Sequence, residues 1–258
     1  MPTLRQVIPL ASIAARLLSL SLVFAAASCT TPSRPVARVL FTSQDLSGWR
    51  QPTGEWKVAR AVPLDAADDK KFTLQPGTGV LVNGAKGRTV NLLSECEHGD
   101  VEAHIEFCVP KGSNSGVYFQ GRYEVQILDS WGVEHPKYGD CGGIYQRWNA
   151  APGVPDNERG YEGRAPSQNA SKAPGEWQQF EITFRAPRFD ADGKKTENAR
   201  FVKVVHNGVT IHENVEVTGP TRSGRFEDEA PRGPLMIQGD HGPVALRNIR
   251  VMETRTEE

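Results

Sequence analysis

The stretch Asn114-Ser-Gly-Val-Tyr-Phe-Gln-Gly-Arg-Tyr-Glu-Val-Gln-Ile-Leu-Asp129 decides how the rest of the sequence is interpreted. Its alternating pattern predicts two β-strands joined by a tight two-residue turn at Gly121 and Arg122. The second strand carries a carboxylate, Glu124, and an amide, Gln126, among apolar residues. Burying such groups is costly unless each finds a partner, so their placement indicates a site. A one-sided antiparallel sheet with both side chains in water is the alternative.

The length of this turn decides which residues face Glu124. A two-residue turn would place Phe119 opposite Glu124 across the hairpin. A longer loop would bring other residues to that face, namely Tyr118, Gln120 and Arg122. Asp129 lies an odd number of steps beyond Glu124, so it reaches the same side only if the strand bends or bulges. The sequence leaves these alternatives open.

Composition and patterning favour one large all-β domain. The chain has 258 residues, of which 38% are hydrophobic and 24% charged, and it contains 25 glycines and 18 prolines without a long helical pattern. Residues 99–108 alternate strictly between apolar and polar side chains, as a half-buried strand does. Many short strands with no repeat period predict a two-sheet antiparallel β-sandwich.

The amino terminus has the features of an export signal. Residues 1–28 combine a basic start with a long apolar run, and small residues precede Cys29, which predicts a secretory signal peptide. The sequence Ala26-Ala-Ser-Cys29 resembles a bacterial lipobox, in which the cysteine becomes the lipidated first residue. Plain secretion with cleavage near Ala27, or an uncleaved anchor helix, are the alternatives.

This interpretation divides the chain into four parts. A signal peptide (1–28) precedes a lipidated tether (29–38), a folded domain (39–252) and a short tail (253–258). Acyl chains on Cys29 would hold the domain at a membrane surface without a spanning segment. We therefore expect an exported bacterial lipoprotein of the cell envelope, facing the periplasm or held in the outer membrane.

Charge and cysteine content limit the partners. Without residues 1–28, 28 basic residues stand against 31 acidic ones, a net charge of −3, which gives no reason to expect nucleic-acid binding. Beyond Cys29 the chain has Cys96, Cys108 and Cys141. In an oxidising compartment a bridge between Cys96 and Cys108 could form. Three buried small residues are the simpler alternative.

Several short motifs occur together in a characteristic order. They are Asp45-Leu-Ser-Gly-Trp49, Asn114-Ser-Gly116, Tyr123-Glu-Val-Gln-Ile-Leu-Asp129, Gly142-Gly-Ile-Tyr145, Gly175-Glu-Trp177, Asn207-Gly208, Asp240-His-Gly242 and Arg247-Asn-Ile249. This pattern resembles the 3-keto-disaccharide hydrolase domain family over residues 38–252. The resemblance implies a jelly roll of the concanavalin A-like lectin and glucanase type, with a sugar-binding concave sheet. It also implies hydrolysis of 3-keto-disaccharides or 3-keto-glucosides.

A ketone at C3 of a sugar opens a particular route to bond cleavage. The proton at C2 becomes acidic, so a base can drive elimination of the C1 leaving group, after which water adds. Ordinary glycosidases use two carboxylates instead. In lectin-like glucanases these carboxylates alternate on one strand, whereas here Gln126 follows Glu124 at that spacing. The amide favours the keto-assisted route.

The motifs supply the candidate site residues. We expect Glu124 and His241 to perform acid–base chemistry. Residues expected to bind substrate are Gln126, Asp129, Asp240, Asn114 and Tyr145. A solvated turn at residues 240–242 and a local turn at Asn114 are the alternatives for those segments.

A metal and further aromatic contacts are also compatible with the sequence. A divalent cation such as Ca²⁺ could be held by three carboxylates, those of Glu124, Asp129 and Asp240. The long irregular stretch 130–174 is typical of a functional loop. Its Trp131 and Trp148 could stack on a sugar ring or cover the core. Because a fold does not establish activity, a non-catalytic carbohydrate-binding lipoprotein is the main rival, and a structural or interaction domain at the cell surface is another.

Overall fold

The computed structural model describes Met1, residues 37–39 and residues 44–254. The expected signal peptide (1–28), the lipidation site Cys29 and most of the tether lie outside these residues, as does the end of the tail. Within the described part, no helix is long and apolar enough to cross a membrane.

Short β-strands make up nearly all the regular structure of the described residues. In chain order the strands are β1 Ala37–Val39, β2 Lys57–Ala61, β3 Gln75–Val82, β4 Leu92–His98, β5 Val101–Cys108, β6 Asn114–Phe119, β7 Tyr123–Leu128, β8 Arg147–Trp148, β9 Gly160–Tyr161, β10 Gln178–Arg185, β11 Arg188–Phe189, β12 Lys195–Glu197, β13 Ala199–His206, β14 Val209–Val217, β15 Gly233–Ile237 and β16 Ala245–Glu253. A single 3₁₀ turn, Asp156–Glu158, lies between β8 and β9.

Two antiparallel sheets form the body of the domain. The large sheet has the order β14-β13-β10-β5-β16-β3-β2, with β1 also pairing with β16. The small sheet has the order β4-β15-β6-β7. Two separate ribbons, β8–β9 and β11–β12, lie within the connections. This arrangement confirms the predicted all-β two-sheet antiparallel sandwich.

Aromatic side chains join the two sheets. Phe184 of the large sheet lies between Phe119 and Tyr123 of the small sheet, with ring centroids 5.1 and 5.5 Å away. Phe201, on the neighbouring strand of the large sheet, lies 5.3 Å from Phe184. All four rings are fully buried. Strand β5 follows its predicted alternation, since its apolar residues are buried and its polar residues are more accessible.

The hairpin of β6 and β7 corrects the predicted two-residue turn, which was wrong. Phe119 pairs with Tyr123, so the connecting loop has three residues, Gln120, Gly121 and Arg122. Gln120 adopts a left-handed backbone with φ of 54°. Its N–H donates to His98 Nε2 at 3.1 Å, and this buried contact holds the longer loop. Tyr118, rather than Phe119, therefore lies opposite Glu124.

The cysteines of the described residues form no disulfide. Cys96, Cys108 and Cys141 are free thiols. Cys96 packs against the core between the sheets, whereas Cys108 belongs to a separate cluster with Phe72 and Val80. The two side chains therefore lie in different packing layers, and the bridge considered from sequence is absent.

We expect Phe184→Ala to destabilise the domain by about 3–5 kcal/mol, because it removes the ring that joins the two sheets and leaves a cavity. Urea unfolding followed by tryptophan fluorescence measures the loss. Trp131→Ala is the control, since that side chain is 60% exposed and its removal should cost less than about 0.5 kcal/mol. Equal losses in the two variants would contradict this view of the core.

Candidate functional site

Polar side chains of the small sheet lie on the face that points away from the core. On β6 and β7 the side chains that face the large sheet belong to the core cluster: Val117, Phe119, Tyr123, Val125 and Ile127. The alternate positions, among them Tyr118, Glu124 and Gln126, point to the opposite face. Glu124 and Gln126 are nevertheless only 2% and 4% exposed. The alternative of two solvated side chains is therefore wrong, and something must cover this face.

Part of the long loop supplies the cover. Ile144 forms a β-bridge with Val125 at the free edge of β7. The N–H of Tyr145 donates to the carbonyl of Glu124 at 3.2 Å, so Tyr145 lies beside Glu124. The register across the sheet then produces one row of side chains on the outward face: Leu93, Met236, Tyr118, Glu124 and Tyr145.

Gly116 makes room for the Glu124 carboxylate. It lies opposite Gln126 in the hairpin. A Cβ atom at this position would lie 2.2 Å from Oε1 of Glu124, much closer than atoms can approach. Glycine is therefore required for Glu124 to lean across β6 beside Tyr118. This gives a physical role to the glycine of the Asn114-Ser-Gly116 motif.

Burial determines the protonation of the site. It raises the pKa of the Glu124 carboxyl to about 8, an effect that the Tyr118 hydroxyl partly opposes and the negative charge of Asp240 increases. Burial and the neighbouring Glu124 also raise the pKa values of Tyr118 and Tyr145 above the usual range for a phenol. At neutral pH both phenols therefore keep their protons, and Glu124 is close to its titration midpoint.

Arg222 joins the site from a segment between β14 and β15. Its backbone N–H donates to the carbonyl of Gln146 at 2.8 Å. Its guanidinium lies 3.7 Å above the centroid of the Trp148 ring, and its positive charge lowers the pKa of Tyr145 against the effect of burial. Sequence reasoning missed Arg222, because nothing in that irregular segment marks it as a neighbour of β7.

The loop between β15 and β16 carries Asp240 and His241. Nδ1–H of His241 donates to Asp240 Oδ1 at 2.6 Å, and both side chains are about half exposed. The buried amide of Asn83 anchors the loop by donating to the carbonyls of Gly242 and Gly239, at 2.7 and 3.1 Å. The charge of Asp240 acts on Glu124, whereas no hydrogen bond joins His241 to Glu124 in the described residues.

Asp129 lies away from this arrangement. Its carboxylate accepts the backbone N–H groups of Gly112 and Trp131, at 2.8 and 3.4 Å, just beyond the end of β7. Within residues 44–254, no three His, Cys, Asp or Glu side chains converge as ligands of a metal ion. The structure therefore does not assemble Glu124, Asp129 and Asp240 into the metal site considered from sequence.

The other sequence-derived residues do come together. Gln126, Tyr145 and Asn114 share the outward face of the small sheet with Glu124, and Asp240 lies at its rim. A cavity of about 570 Å³ adjoins this face. Its walls include Pro52, Asn91, Leu93, Phe226 and Asp240. Leu93 of the outward row and Asp240 both line the cavity, whereas Glu124 does not. We call the outward face and the cavity beside it the cleft.

The fold and this cleft define an all-β two-sheet sandwich with a polar, aromatic-lined cleft. A model of the 3-keto-disaccharide hydrolase family, described as a 3-keto-alpha-glucoside-1,2-lyase-like domain, matches residues 36–252, and the chain belongs to this family. The match confirms the resemblance drawn from the motifs.

Two solved structures from Parabacteroides distasonis ATCC 8503 share the fold, and both are provisionally assigned as glycosyl hydrolases. The first is 28% identical, with 84% of each chain covered and a TM-score of 0.60. The second is 18% identical, covers 85% of this chain and 100% of its own, and has a TM-score of 0.52, a likeness that shows the fold alone. No curated protein matches the chain in sequence.

The pKa of Glu124 predicts how stability changes with pH. Because folding raises this pKa from 4.5 to about 8, the native state binds the proton more tightly than the unfolded state. The contribution of Glu124 to the free energy of unfolding is thus fully favourable below pH 4.5 and is lost as the pH rises to about 8. The slope reaches about 1.4 kcal/mol per pH unit. Glu124→Gln lacks this titration and should gain stability relative to the wild type as the pH rises.

Urea unfolding at pH 5, 6.5 and 8.5 measures the difference. Glu134→Gln, which removes the same charge from an exposed loop position, should follow the wild type. Parallel stability curves for wild type and Glu124→Gln would refute the raised pKa.

Proposed function

We propose that this protein cleaves the glycosidic bond of 3-keto-glucosides or 3-keto-disaccharides by elimination across C1 and C2, followed by addition of water. The observation that carries the proposal is the buried Glu124 carboxyl, with a pKa of about 8, beside two protonated phenols. The description of the family as 3-keto-alpha-glucoside-1,2-lyase-like supports the same bond. Gln126, in place of a second carboxylate on the strand, argues against the ordinary two-carboxylate route.

Glu124 is the proposed base. In its ionised form it takes the proton from C2, and the electron pair moves toward the C3 ketone to form an enolate. A carboxylate with a pKa near 8 is a stronger base than an exposed one, while a useful fraction remains ionised near neutral pH. Because Gly116 has no side chain, the carboxylate has room on that side of β6.

The enolate requires donors aimed at its oxygen. The phenols of Tyr118 and Tyr145 keep their protons because their pKa values are raised. The guanidinium of Arg222, held against Trp148, adds a positive charge next to Tyr145. In a site from which water is largely excluded, such preorganised donors stabilise developing negative charge strongly.

Cleavage then follows from collapse of the enolate. A C1=C2 double bond forms, the C1–O bond breaks, and the leaving oxygen takes a proton. We assign this proton to His241, whose ring is oriented by the hydrogen bond from Nδ1–H to the Asp240 carboxylate. The leaving group occupies the cavity beside Asp240. Water then adds its hydroxyl to C1 while its proton passes to His241. The Glu124 carboxyl, whose proton has by then exchanged with solvent, protonates C2, which restores the free base and yields the 3-keto sugar.

The rival function is carbohydrate binding without catalysis. It is favoured by the different surroundings of the proposed base and acid, since Glu124 is buried, His241 is about half exposed, and no hydrogen bond joins them within the described residues. Binding would need only the polar groups and aromatic rings of the cleft. Turnover separates the two functions directly.

We also propose that the chain is exported as a bacterial lipoprotein, anchored at the cell envelope through Cys29 and facing the periplasm or held in the outer membrane. The apolar run within residues 1–28 and the lipobox-like residues 26–29 support this proposal. A sugar-cleaving domain at the membrane surface would meet its substrate outside the cytoplasm.

Incubation with 3-keto-trehalose or a methyl 3-keto-glucoside should release sugar, and the value of kcat/KM should rise with pH toward about 8, because the base must be ionised. In D₂O the product should carry one deuterium at C2, detectable by NMR, because the elimination exchanges that proton. Glu124→Gln should lose about 10²–10⁴-fold in kcat/KM. Glu134→Gln is the charge-matched control and should retain full turnover.

These assays distinguish the alternatives. If the wild type binds glycan but releases no sugar, the catalytic proposal is refuted and the binding function remains. Sugar release without deuterium at C2 would replace elimination by direct hydrolysis. Full turnover by both Glu124→Gln and His241→Ala would refute the residue assignment alone.

The export proposal predicts that Cys29→Ala separates the protein from membranes. Expressed in a bacterial host, the wild type should sediment with the membrane fraction and incorporate labelled palmitate, because acyl chains anchor it. The variant should do neither. A wild type that stays in the soluble fraction without label would exclude the lipid anchor.

A further inference from the structure

Two amide oxygens on the outward face of the small sheet have no hydrogen-bond partner. Oε1 of Gln126 and Oδ1 of Asn114 are fully buried and accept no hydrogen bond within the described residues. The Gln126 residue as a whole is only 4% exposed. Buried carbonyl oxygens in native proteins almost always find a donor. Among the described residues three amide oxygens are exceptions, and two of them, those of Asn114 and Gln126, lie on the face that holds Glu124, while the third is Gln120 Oε1 in the hairpin loop.

The strand register places these amides next to each other. Asn114 pairs with Leu128 and Gly116 pairs with Gln126, so Asn114 and Gln126 are diagonal neighbours, with side chains on one face of the hairpin. Gln126 and Glu124 share this face because they are two residues apart. The Asp240–His241 loop passes close to the backbone of Asn114, since a Cβ on Gly242 would lie 2.8 Å from the Asn114 backbone nitrogen.

Both backbone groups of Gln126 have hydrogen-bond partners, so the side-chain oxygen is the part of this residue that lacks one. Its N–H donates to the carbonyl of Gly143 at 2.8 Å, and its own carbonyl accepts the N–H of Gly142 at 2.8 Å. The main chain of Gln126 is therefore held in place independently of the amide. An amide oxygen that does not hold the fold together and yet stays desolvated costs stability, a cost that a bound donor would remove.

We propose that Asn114 and Gln126 recognise neutral hydroxyl groups of the sugar, so that the cleft accepts 3-keto-hexosides and rejects the corresponding uronides. This inference rests on the proposed function for its orientation of the ring. With C2 and its hydroxyl at Glu124 and the C3 oxygen at the phenols, the hydroxyls farther along the ring that remain to donate are those at C4 and C6. A carboxylate at C6 has no proton to donate to an amide oxygen, and it would meet the negative charge of Asp240.

Equilibrium binding tests the proposal without turnover. The probes are 3-keto-1,5-anhydroglucitol, which has no leaving group at C1, its 6-deoxy analogue and its 6-carboxylate analogue. By calorimetry, the wild type should bind the parent compound at least about 10-fold more tightly than either analogue, because a site built for a hydroxyl is left unpaired without it. Gln126→Met should weaken binding of the parent about 10–100-fold and of the 6-deoxy analogue less than about 3-fold.

A stability measurement separates recognition from a structural role. Because Oε1 has no internal partner, Gln126→Met should keep or raise the Tm of the free protein. Gln179→Met is the matched amide control, since Gln179 lies on β10 of the large sheet and should change neither binding nor selectivity. Asn114→Leu should repeat the effect of Gln126→Met on binding.

Each outcome decides the inference. It is overturned if the wild type binds none of the probes or all three equally, if Gln126→Met retains full affinity for the parent, or if that variant lowers the Tm by more than about 3 °C. Selective binding with no cleavage of 3-keto-glycosides would refute the proposed function and leave the inference standing. Cleavage of 3-keto-glycosides without selective binding of the probes would refute the inference and leave the proposed function standing.

Discussion

The register of the β6–β7 hairpin is the constraint on which the site depends. With three loop residues, Tyr118 faces Glu124, and Phe119 and Tyr123 face the core. A slip of one residue would exchange the two faces, placing Glu124 among the rings that join the sheets. The left-handed backbone of Gln120, held by His98, prevents this slip. A local turn conformation thereby decides whether the sheet presents a carboxyl or a phenyl ring to the cleft.

Water is therefore excluded from both faces of the small sheet, but in different ways. On its inner face, rings exclude water through close packing and stabilise the fold. On its outer face, a loop excludes water from Glu124 at the expense of stability above neutral pH, because the carboxyl must ionise in a poorly solvated place. The same burial that weakens the fold increases the basicity of the side chain. The burial of Glu124 thus lowers the free energy of unfolding when the carboxyl ionises, and it also makes the carboxylate a stronger base.

Much of the fold was predictable from the sequence, because alternation along strands such as β5 and the order of the short motifs both report local structure. The predicted hairpin turn was wrong because a left-handed glutamine depends on a buried histidine from β4, which no local pattern reveals. Arg222 was missed for the same reason, since a distant segment brings it to Trp148. The motifs named Glu124 and Gln126, but their burial depends on the loop at Ile144.

The bridge between Ile144 and β7 also has a consequence for association between molecules. A strand at the edge of a sheet offers unpaired backbone groups to any other chain, and such edges promote aggregation unless they are covered. Here the covering segment also places Tyr145 beside Glu124. Release of that segment would expose the aggregation-prone edge of β7. It would also remove Tyr145 from the cleft. The same short run of backbone hydrogen bonds therefore keeps the protein from aggregating and keeps the cleft intact.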